Sequence, residues 1–449
     1  MAHQHPHVAL TGENAELPPE TANVGRAFLS VGLLCLAAVA AIAVFGDSGA
    51  NKGVRLQQII HSYLTSFAFY FSLTMGALFF VMVQHLCRAH WSVSLRRVAE
   101  FMSCNILVLF ALGAPIGWYT VASRSPPGAD QAHVASVGHD DRFVKTGGLY
   151  PWTDAAKMAH DPILKGKTPY LNVPFWAIRI LVYFGLWIFL AYWFRNLSLR
   201  QDSDGDVAHS LNRESYSAPG IIAFAITITL AAVDMLMSLS PHWYSTMFGV
   251  YIFAGGNAAF FGAIILALMT LQKFGKLQGV VTVEHYHDLG KFLFGFVFFW
   301  GYVAFSQYML IWYANIPEET QFFRDRQYLG DTDQFGPWMK VGLVLLFIHI
   351  LIPFPGLVSR RMKRNLPALA FWAIWVLAAH FVDMYWLVMP EYSKKIKYWD
   401  KLPFQLTDVL CFAGIGCVLI WNFLRQATGR SLVAAKDPRI HDSVRFQNF

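Results

Sequence analysis

Residues 61–84 read HSYLTSFAFYFSLTMGALFFVMVQ, a stretch of 24 residues without Asp, Glu, Lys or Arg. A helix needs about 20 apolar residues to cross the bilayer core, so this stretch predicts a membrane span. Nine further runs in the 449-residue chain are similarly apolar. The chain is 55% hydrophobic and only 14% charged, well below the roughly 25% charge of soluble domains. The sequence therefore predicts an all-α polytopic membrane protein with ten transmembrane helices.

The ten predicted spans are numbered here in chain order. Span 1 follows a polar segment with three glutamates, so we expect it to be retained as a membrane helix rather than cleaved as a signal peptide. The spans are Ala27–Phe45, Ile60–Leu86, Val98–Ala114, Pro174–Phe194, Gly220–Leu239, Thr246–Leu271, Phe292–Tyr313, Pro337–Leu357, Leu366–Met389 and Leu406–Leu424.

The stretch at 61–84 recurs at 242–265, HWYSTMFGVYIFAGGNAAFFGAII, with 8 identities and no gap. A second match joins spans 5 and 9, where Val-Asp-Met at 233–235 and at 382–384 precedes a proline seven residues after the aspartate. Chance resemblance between aromatic-rich spans is the alternative. Two matches in the same order favour a parallel internal repeat, with two four-helix bundles (spans 2–5 and 6–9) flanked by spans 1 and 10.

This repeat gives the predicted organisation of the chain. The short loops and tails on the side of the two termini carry more Lys and Arg than the other side, with 13 against 8 in the short loops, which places both termini in the cytoplasm. The predicted segments are an N-terminal tail (1–26), the first flanking span and loop (27–59), the first bundle (60–239) with a long periplasmic loop (115–173), the second bundle (240–389), a loop and the last flanking span (390–424), and a C-terminal tail (425–449).

Several binding classes are disfavoured by composition. The net charge of +7 comes from cations at the predicted span ends, where they are expected to be solvated membrane anchors rather than a nucleic-acid surface. No C-x-x-C pair occurs among the five cysteines, so neither a structural metal site nor an iron–sulfur cluster is indicated. The span histidines also lack the regular pairing on two helices expected for haem ligation.

Ionisable residues in the outer half of the predicted bundle are the first candidates for chemistry, because charge within the membrane is costly. His380 precedes Asp383 by three residues and shares its helix face, which favours a proton-accepting pair. Asp234 is its counterpart in the repeat, and Arg179 could bridge to it structurally. Catalytic candidates for proton transfer are His380, Asp383 and Asp234; quinone-binding candidates are His61, Arg179, His242 and Tyr385.

The inner half is sparser. A proton path to the inner face would draw on His85, Glu100, His349 and Asp288. The alternative is that each of these side chains is hydrogen-bonded only to its neighbours.

Four segments resemble a known family. They are DMLMSLSPHWYSTMFGVY at 234–251, DLGKFLF at 288–294, SQYMLIWYANIPEET at 306–320 and DMYWLVMP at 383–390. Together they resemble the ActF membrane subunits of bacterial alternative complex III, in the NrfD or polysulfide-reductase membrane-subunit family.

The resemblance implies a subunit of a respiratory quinol:electron-acceptor oxidoreductase in the bacterial inner membrane, passing electrons to cytochrome c or a terminal oxidase. It implies an ActC-like sibling, an iron–sulfur subunit and a multihaem cytochrome c subunit as partners. Haems and iron–sulfur clusters would lie in those partners, and quinol or quinone would be the ligand available to this chain.

Two other functions stay open from the sequence. One is a structural membrane anchor for redox subunits, without a quinol site. The other is a solute or ion transporter, which would need discontinuous helices; only Gly255-Gly256 and Pro353/Pro355 hint at such breaks.

Overall fold

The computed structural model describes residues 12–46, 50–123, 148–329, 332–395 and 402–448. Helices account for 80% of the described residues, which contain no β-strand. Ten helical segments are long and apolar enough to cross a membrane, so the predicted fold class is confirmed. They are Thr21–Phe45, Gly53–Leu86, Val93–Ala122, Val173–Asp204, Ala208–Leu239, Phe248–Lys273, Val283–Ala314, Pro337–Val358, Leu366–Lys394 and Leu406–Ala427.

Most spans extend beyond their apolar runs, because local capping sets their ends. Span 4 begins where the Asn172 side chain accepts a hydrogen bond from the Phe175 amide at 2.9 Å. It ends at Gly205, whose φ of 73° is left-handed and stops the helix. Span 3 continues to Ala122, inside the predicted loop 115–173, and residues 124–147 of that loop lie outside the described part of the chain.

Spans 2 and 6 pack against each other at the centre of the molecule. They approach closely at two glycines. A Cβ on Gly76 would lie 2.9 Å from the carbonyl oxygen of Gly256, and one on Gly256 would lie 2.6 Å from that of Ser72. Small residues at such a crossing let two membrane helices come into backbone contact. The exact equivalence of the two bundles as repeats stays a prediction.

Of the two helix breaks suggested by the sequence, the structure has an interruption near Pro353 but none at Gly255-Gly256. Span 6 runs as a continuous helix through Gly255-Gly256. Span 8 is interrupted by a π-helical turn at Phe347–Leu351, just before Pro353, whose missing N–H and ring disfavour regular α-helical bonding there. This turn holds His349.

The described parts of both tails, residues 12–20 and 428–448, cover one end of the helices, called here the terminal face; the opposite end is the distal face. The Leu432 amide donates to the Ala15 carbonyl at 2.7 Å, so the two tails meet. The Asn14 side chain donates to the Gln278 carbonyl after span 6, and the Ser443 hydroxyl donates to the Trp91 carbonyl after span 2. The tails therefore join loops of both bundles.

Three cations at the terminal face correct a sequence-based expectation. Arg96, Arg97 and Arg213 were expected to be solvated anchors, but each is fully buried. Glu100 lies 3.0 Å from Arg97 and 3.5 Å from Arg96, and Asp437 of the C-terminal tail lies 2.8 Å from Arg96. Glu100 on the same helix and Asp437 on the C-terminal tail compensate their charge, which lets the helices continue past the apolar runs.

Candidate functional site

Asp383 lies on span 9 and is fully buried. The Tyr251 hydroxyl of span 6 donates a hydrogen bond to Oδ1 of Asp383. The indole Nε1 of Trp300, on span 7, donates to Oδ2 at 3.1 Å. No arginine or lysine among the described residues lies within ion-pair distance of this carboxyl group. Two neutral donors therefore hold a carboxyl group that has no permanent counter-charge.

His380 lies one helical turn from Asp383 and is also fully buried. Its Nε2 is hydrogen-bonded to the Ser72 hydroxyl of span 2 at 2.8 Å. Its Nδ1 lies 3.9 Å from Oδ2 of Asp383, beyond direct hydrogen-bond length. The predicted shared face is thus present, but serine rather than aspartate orients the ring. A shift of about 1 Å would bring the imidazole and carboxyl groups into contact.

A glycine makes room for this arrangement. A Cβ on Gly255 would lie 3.0 Å from Cε1 and 3.1 Å from Nδ1 of His380, and 3.1 Å from Cδ1 of Trp300. Any side chain at 255 would press on both rings. Because Gly255 has no side chain, the His380 and Trp300 rings can pack directly against the backbone of span 6.

His349 completes the group from the π-helical turn of span 8. Its ring centroid lies 3.7 Å from that of Trp300 and 6.2 Å from that of His380. Neither of its ring nitrogens has a hydrogen-bond partner among the described residues. Spans 6, 7, 8 and 9 thus bring together two imidazoles and one carboxyl group, which can in principle exchange protons.

Asp234 in the first bundle has a different environment. Arg179 donates to both of its carboxylate oxygens, each at 2.8 Å, and the Tyr183 hydroxyl donates to Oδ2 at 3.1 Å. The same guanidinium also donates to the Tyr170 carbonyl at 2.9 Å and lies 3.8 Å from the centroid of the Tyr170 ring. Such a bidentate pair has the geometry of a fixed structural bridge, the alternative weighed for these two residues.

The remaining quinone-binding candidates are dispersed. The buried His61 has its Nδ1 2.6 Å from the Gln57 carbonyl, and its ring lies 5.6 Å from that of Tyr392. His242 is half-exposed at the distal face and pairs with Asp161. Tyr385 packs against Trp338, its ring centroid 5.9 Å away. Among the described residues, the contacts of these three side chains involve other partners than those of Arg179.

The inner proton-path candidates lie toward the terminal face. His85 is fully buried and stacks on Phe194 at 5.6 Å. Glu100 belongs to the buried arginine cluster, and Asp288 pairs with Lys291. His349 instead belongs to the Asp383 group. The described residues give no continuous chain of hydrogen bonds between these groups.

Two carboxyl groups outside the spans have shifted pKa values. Burial raises the pKa of Asp437, but Arg96 and Arg439 outweigh this and lower it to about 2. Burial also raises the pKa of Asp161, but hydrogen bonds from His242 and from the Leu164 and Ile163 amides bring it below its ordinary value. Both acids are therefore ionised at neutral pH.

Comparison with known families and with curated proteins returns no match. The resemblance to alternative complex III subunits thus stays a prediction that rests on the quoted motifs.

Sequence reasoning missed the residues that hold Asp383 in place. Tyr251 aligns with Tyr70 in the repeat match, but their hydroxyl groups have different acceptors. The Tyr251 hydroxyl donates to Asp383, whereas the Tyr70 hydroxyl donates to the Phe412 carbonyl at 3.1 Å. Trp300 and Ser72 carried no local signal. The Gly255-Gly256 pair did give a local signal, because adjacent glycines in a span indicate close packing. In the structure, Gly255 packs against His380 and Gly256 packs against Ser72.

Proposed function

We propose that this chain is an integral membrane subunit of a respiratory quinol oxidoreductase and that its second bundle handles protons at Asp383. In this proposal the haem and iron–sulfur groups belong to partner subunits, and quinol is oxidised within the complex. The quoted motifs support the respiratory assignment, and the second-bundle site supports the proton-handling role.

The observation that carries the proton-handling role is the contrast between Asp234 and Asp383. Both side chains are fully buried, and each precedes a proline by seven residues. Asp234 has an arginine on both oxygens, whereas Asp383 has only neutral donors and a histidine at 3.9 Å. A buried carboxyl group without a counter-charge is costly to ionise, so it favours binding a proton. Such a group can take up and release a proton during turnover.

Each neighbour has a distinct part in the proposed chemistry. Tyr251 and Trp300 orient the carboxyl group and stabilise its ionised form, because both donate hydrogen bonds to it. Ser72 holds the His380 ring through Nε2, which leaves Nδ1 directed toward Asp383. His349, without a partner of its own, extends the group toward span 8. The quinol would supply the protons, and these residues would receive or relay them.

Substitution of Asp383 tests this role. Asp383→Asn keeps the shape of the side chain and removes the titrating group. In the intact complex we expect it to permit assembly but to reduce proton-coupled quinol oxidation by roughly 10²-fold or more, the usual contribution of a positioned acid or base. Asp442→Asn is the matched control, since Asp442 is an exposed carboxylate at the terminal face.

The composition of the native complex tests the respiratory assignment. Copurification with haem-bearing and iron–sulfur subunits is the expected result. Isolation as an active monomer would contradict it and favour transport. Normal turnover and proton coupling in Asp383→Asn, within an intact redox complex, would instead leave the chain as a structural anchor.

A further inference from the structure

A cavity of about 330 Å³ lies between spans 7 and 8 near the distal face, beside the Asp383 group. Its size falls within the roughly 300–1,000 Å³ of ligand pockets. Small residues line it on span 7 (Gly301 and Ala304) and span 8 (Gly342), and Phe322 and Phe323 of the helix Pro317–Gln327 also line it. Spans 7 and 8 meet at one part of its wall, where Gly301 packs against the Ile350 side chain.

One flank of the cavity faces the surrounding bilayer. Phe305 on span 7 and Leu343 and Leu346 on span 8 line it and are themselves 60%, 46% and 42% exposed. Exposed apolar side chains on membrane-spanning helices face lipid. An occupant can therefore enter sideways from the leaflet at the distal face.

Polar atoms among the cavity-lining residues require a particular ligand chemistry. The indole Nε1 atoms of Trp338 and Trp386 and the Oε1 atom of Gln307 are buried and have no hydrogen-bond partner among the described residues. Trp338 is only 2% exposed and Gln307 only 8%. Nε1 of Trp386 lies 3.3 Å from the position of a Cβ on Gly342, at the cavity wall. The two indole N–H groups call for oxygen acceptors, since an unpaired buried donor is costly.

The buried cation in the cavity lining, Arg326, already has an acidic partner and hydrogen-bond acceptors within the protein. Arg326 lies 3.3 Å from Glu391 and donates to the carbonyls of Phe322 and Leu387 at 3.1 and 3.0 Å. The interior of the cavity therefore suits an apolar chain with neutral acceptor oxygens rather than a buried anion.

Two cations near the cavity remain available. Lys340 and Arg324 are exposed and make no ion pair with the described residues. Lys340 precedes the lining residue Leu343 by one helical turn, and Arg324 precedes the lining residue Gln327 by the same interval. Basic residues beside a groove between membrane helices favour anionic lipid headgroups.

We propose that this cavity binds one acyl chain of an anionic phospholipid from the leaflet at the distal face. The phosphate lies near Lys340 and Arg324, the ester carbonyls accept hydrogen bonds from Trp338 and Trp386, and the chain fills the space between spans 7 and 8. Tyr251 and Trp300 also line the cavity, so the lipid covers the two donors of Asp383 on their bilayer side. The lipid site does not depend on the respiratory assignment.

Native mass spectrometry of the full chain in mild detergent tests the proposal, with vesicles of defined phosphatidylglycerol and phosphatidylcholine content as the lipid source. We expect one retained phospholipid per chain, with phosphatidylglycerol preferred. The double variant Lys340→Gln/Arg324→Gln should lower retention of phosphatidylglycerol on the order of tenfold and leave phosphatidylcholine unchanged. Arg200→Gln, which replaces an exposed cation near the C-terminal end of span 4, is the matched control and should change neither.

Two further variants separate binding from folding. Ala304→Phe fills the cavity and should abolish retention of either lipid. Trp338→Phe keeps the ring, removes one donor and should weaken retention several-fold; Trp372→Phe, whose buried Nε1 also lacks a partner but lies outside the cavity, should not. Equal retention of both lipids in every variant, or extraction of a quinone in place of the phospholipid, would overturn the proposal.

Discussion

Arg179 binds Asp234 through two hydrogen bonds of 2.8 Å, one to each carboxylate oxygen. This pair joins spans 4 and 5 in the first bundle. No corresponding cation contacts Asp383 among the described residues of the second bundle. If the two bundles arose by duplication, one copy has kept its aspartate as a fixed structural charge and the other has left it able to titrate.

The two aspartates should therefore differ in their effect on stability. Asp234→Asn leaves the Arg179 guanidinium buried without a counter-charge and should lower the free energy of unfolding by about 3–5 kcal/mol. Asp383→Asn should change it by less than about 1 kcal/mol, because the amide oxygen can still accept from Nε1 of Trp300 while the amide NH2 donates to the Tyr251 hydroxyl oxygen, which can also act as an acceptor. Thermal unfolding of the purified protein in detergent measures both. Equal destabilisation by the two substitutions would show that Asp383 is structural as well.

Adjacent glycines of span 6 should respond differently to alanine. Gly256→Ala would press on the Ser72 carbonyl at 2.6 Å, and a backbone group at a helix crossing cannot move aside easily. We expect it to lower stability by about 1–3 kcal/mol. Gly255→Ala would press on the His380 and Trp300 rings and should reduce turnover more than stability. Paired measurements of unfolding temperature and quinol oxidation distinguish the two, and a reversed order of effects would contradict this packing.

The C-terminal tail should make stability depend on pH through Asp437. The arginines around it lower the pKa of this acid from 3.8 to about 2, so its stabilising contribution is complete above about pH 4 and is lost as the pH falls toward 2. This contribution is about 2 kcal/mol. Asp437→Asn should be less stable than the wild type at pH 7, and the gap should narrow on acidification from pH 4 to pH 2. A gap independent of pH would argue against the ion pair.

Membrane orientation can be tested by cysteine labelling. Replacing Cys87, which is exposed, with serine gives a suitable background. Cysteines at Ser203, exposed near the terminal face, and at Thr332, exposed near the distal face, should react with an impermeant reagent from the cytoplasmic and periplasmic sides respectively. Labelling of Ser203→Cys from the periplasm would reverse the assignment.

The sequence was sufficient for the fold class because apolar length is a local property. All ten predicted spans have a counterpart in the structure. The similar predicted depth of Arg179 and Asp234 in the membrane suggested an ion pair between them, and the structure has that pair. Ends of spans were less predictable. Arg96 and Arg97 resemble loop residues in sequence, and their burial is explained by the acids Glu100, Asp202 and Asp437, the last of them 341 residues away from Arg96.

Only the part of the candidate site that depends on local sequence was predicted. The His380–Asp383 spacing follows from helical periodicity alone. Their partners Ser72, Tyr251 and Trp300 come from three other spans, and no period along the chain connects those positions. The π-helical turn that brings His349 to Trp300 was likewise hidden, because it depends on how span 8 packs as well as on Pro353.

Redox-induced infrared difference spectroscopy of the intact complex tests the proton-carrying role of Asp383 most directly. Protonated and ionised carboxyl groups absorb differently, and isotopic labelling of aspartate assigns the band. We predict an aspartic acid band that changes on quinol oxidation, disappears in Asp383→Asn and persists in any Asp234→Asn complex that assembles. An unchanged band in Asp383→Asn would contradict the account, since the proton would then be carried by another group.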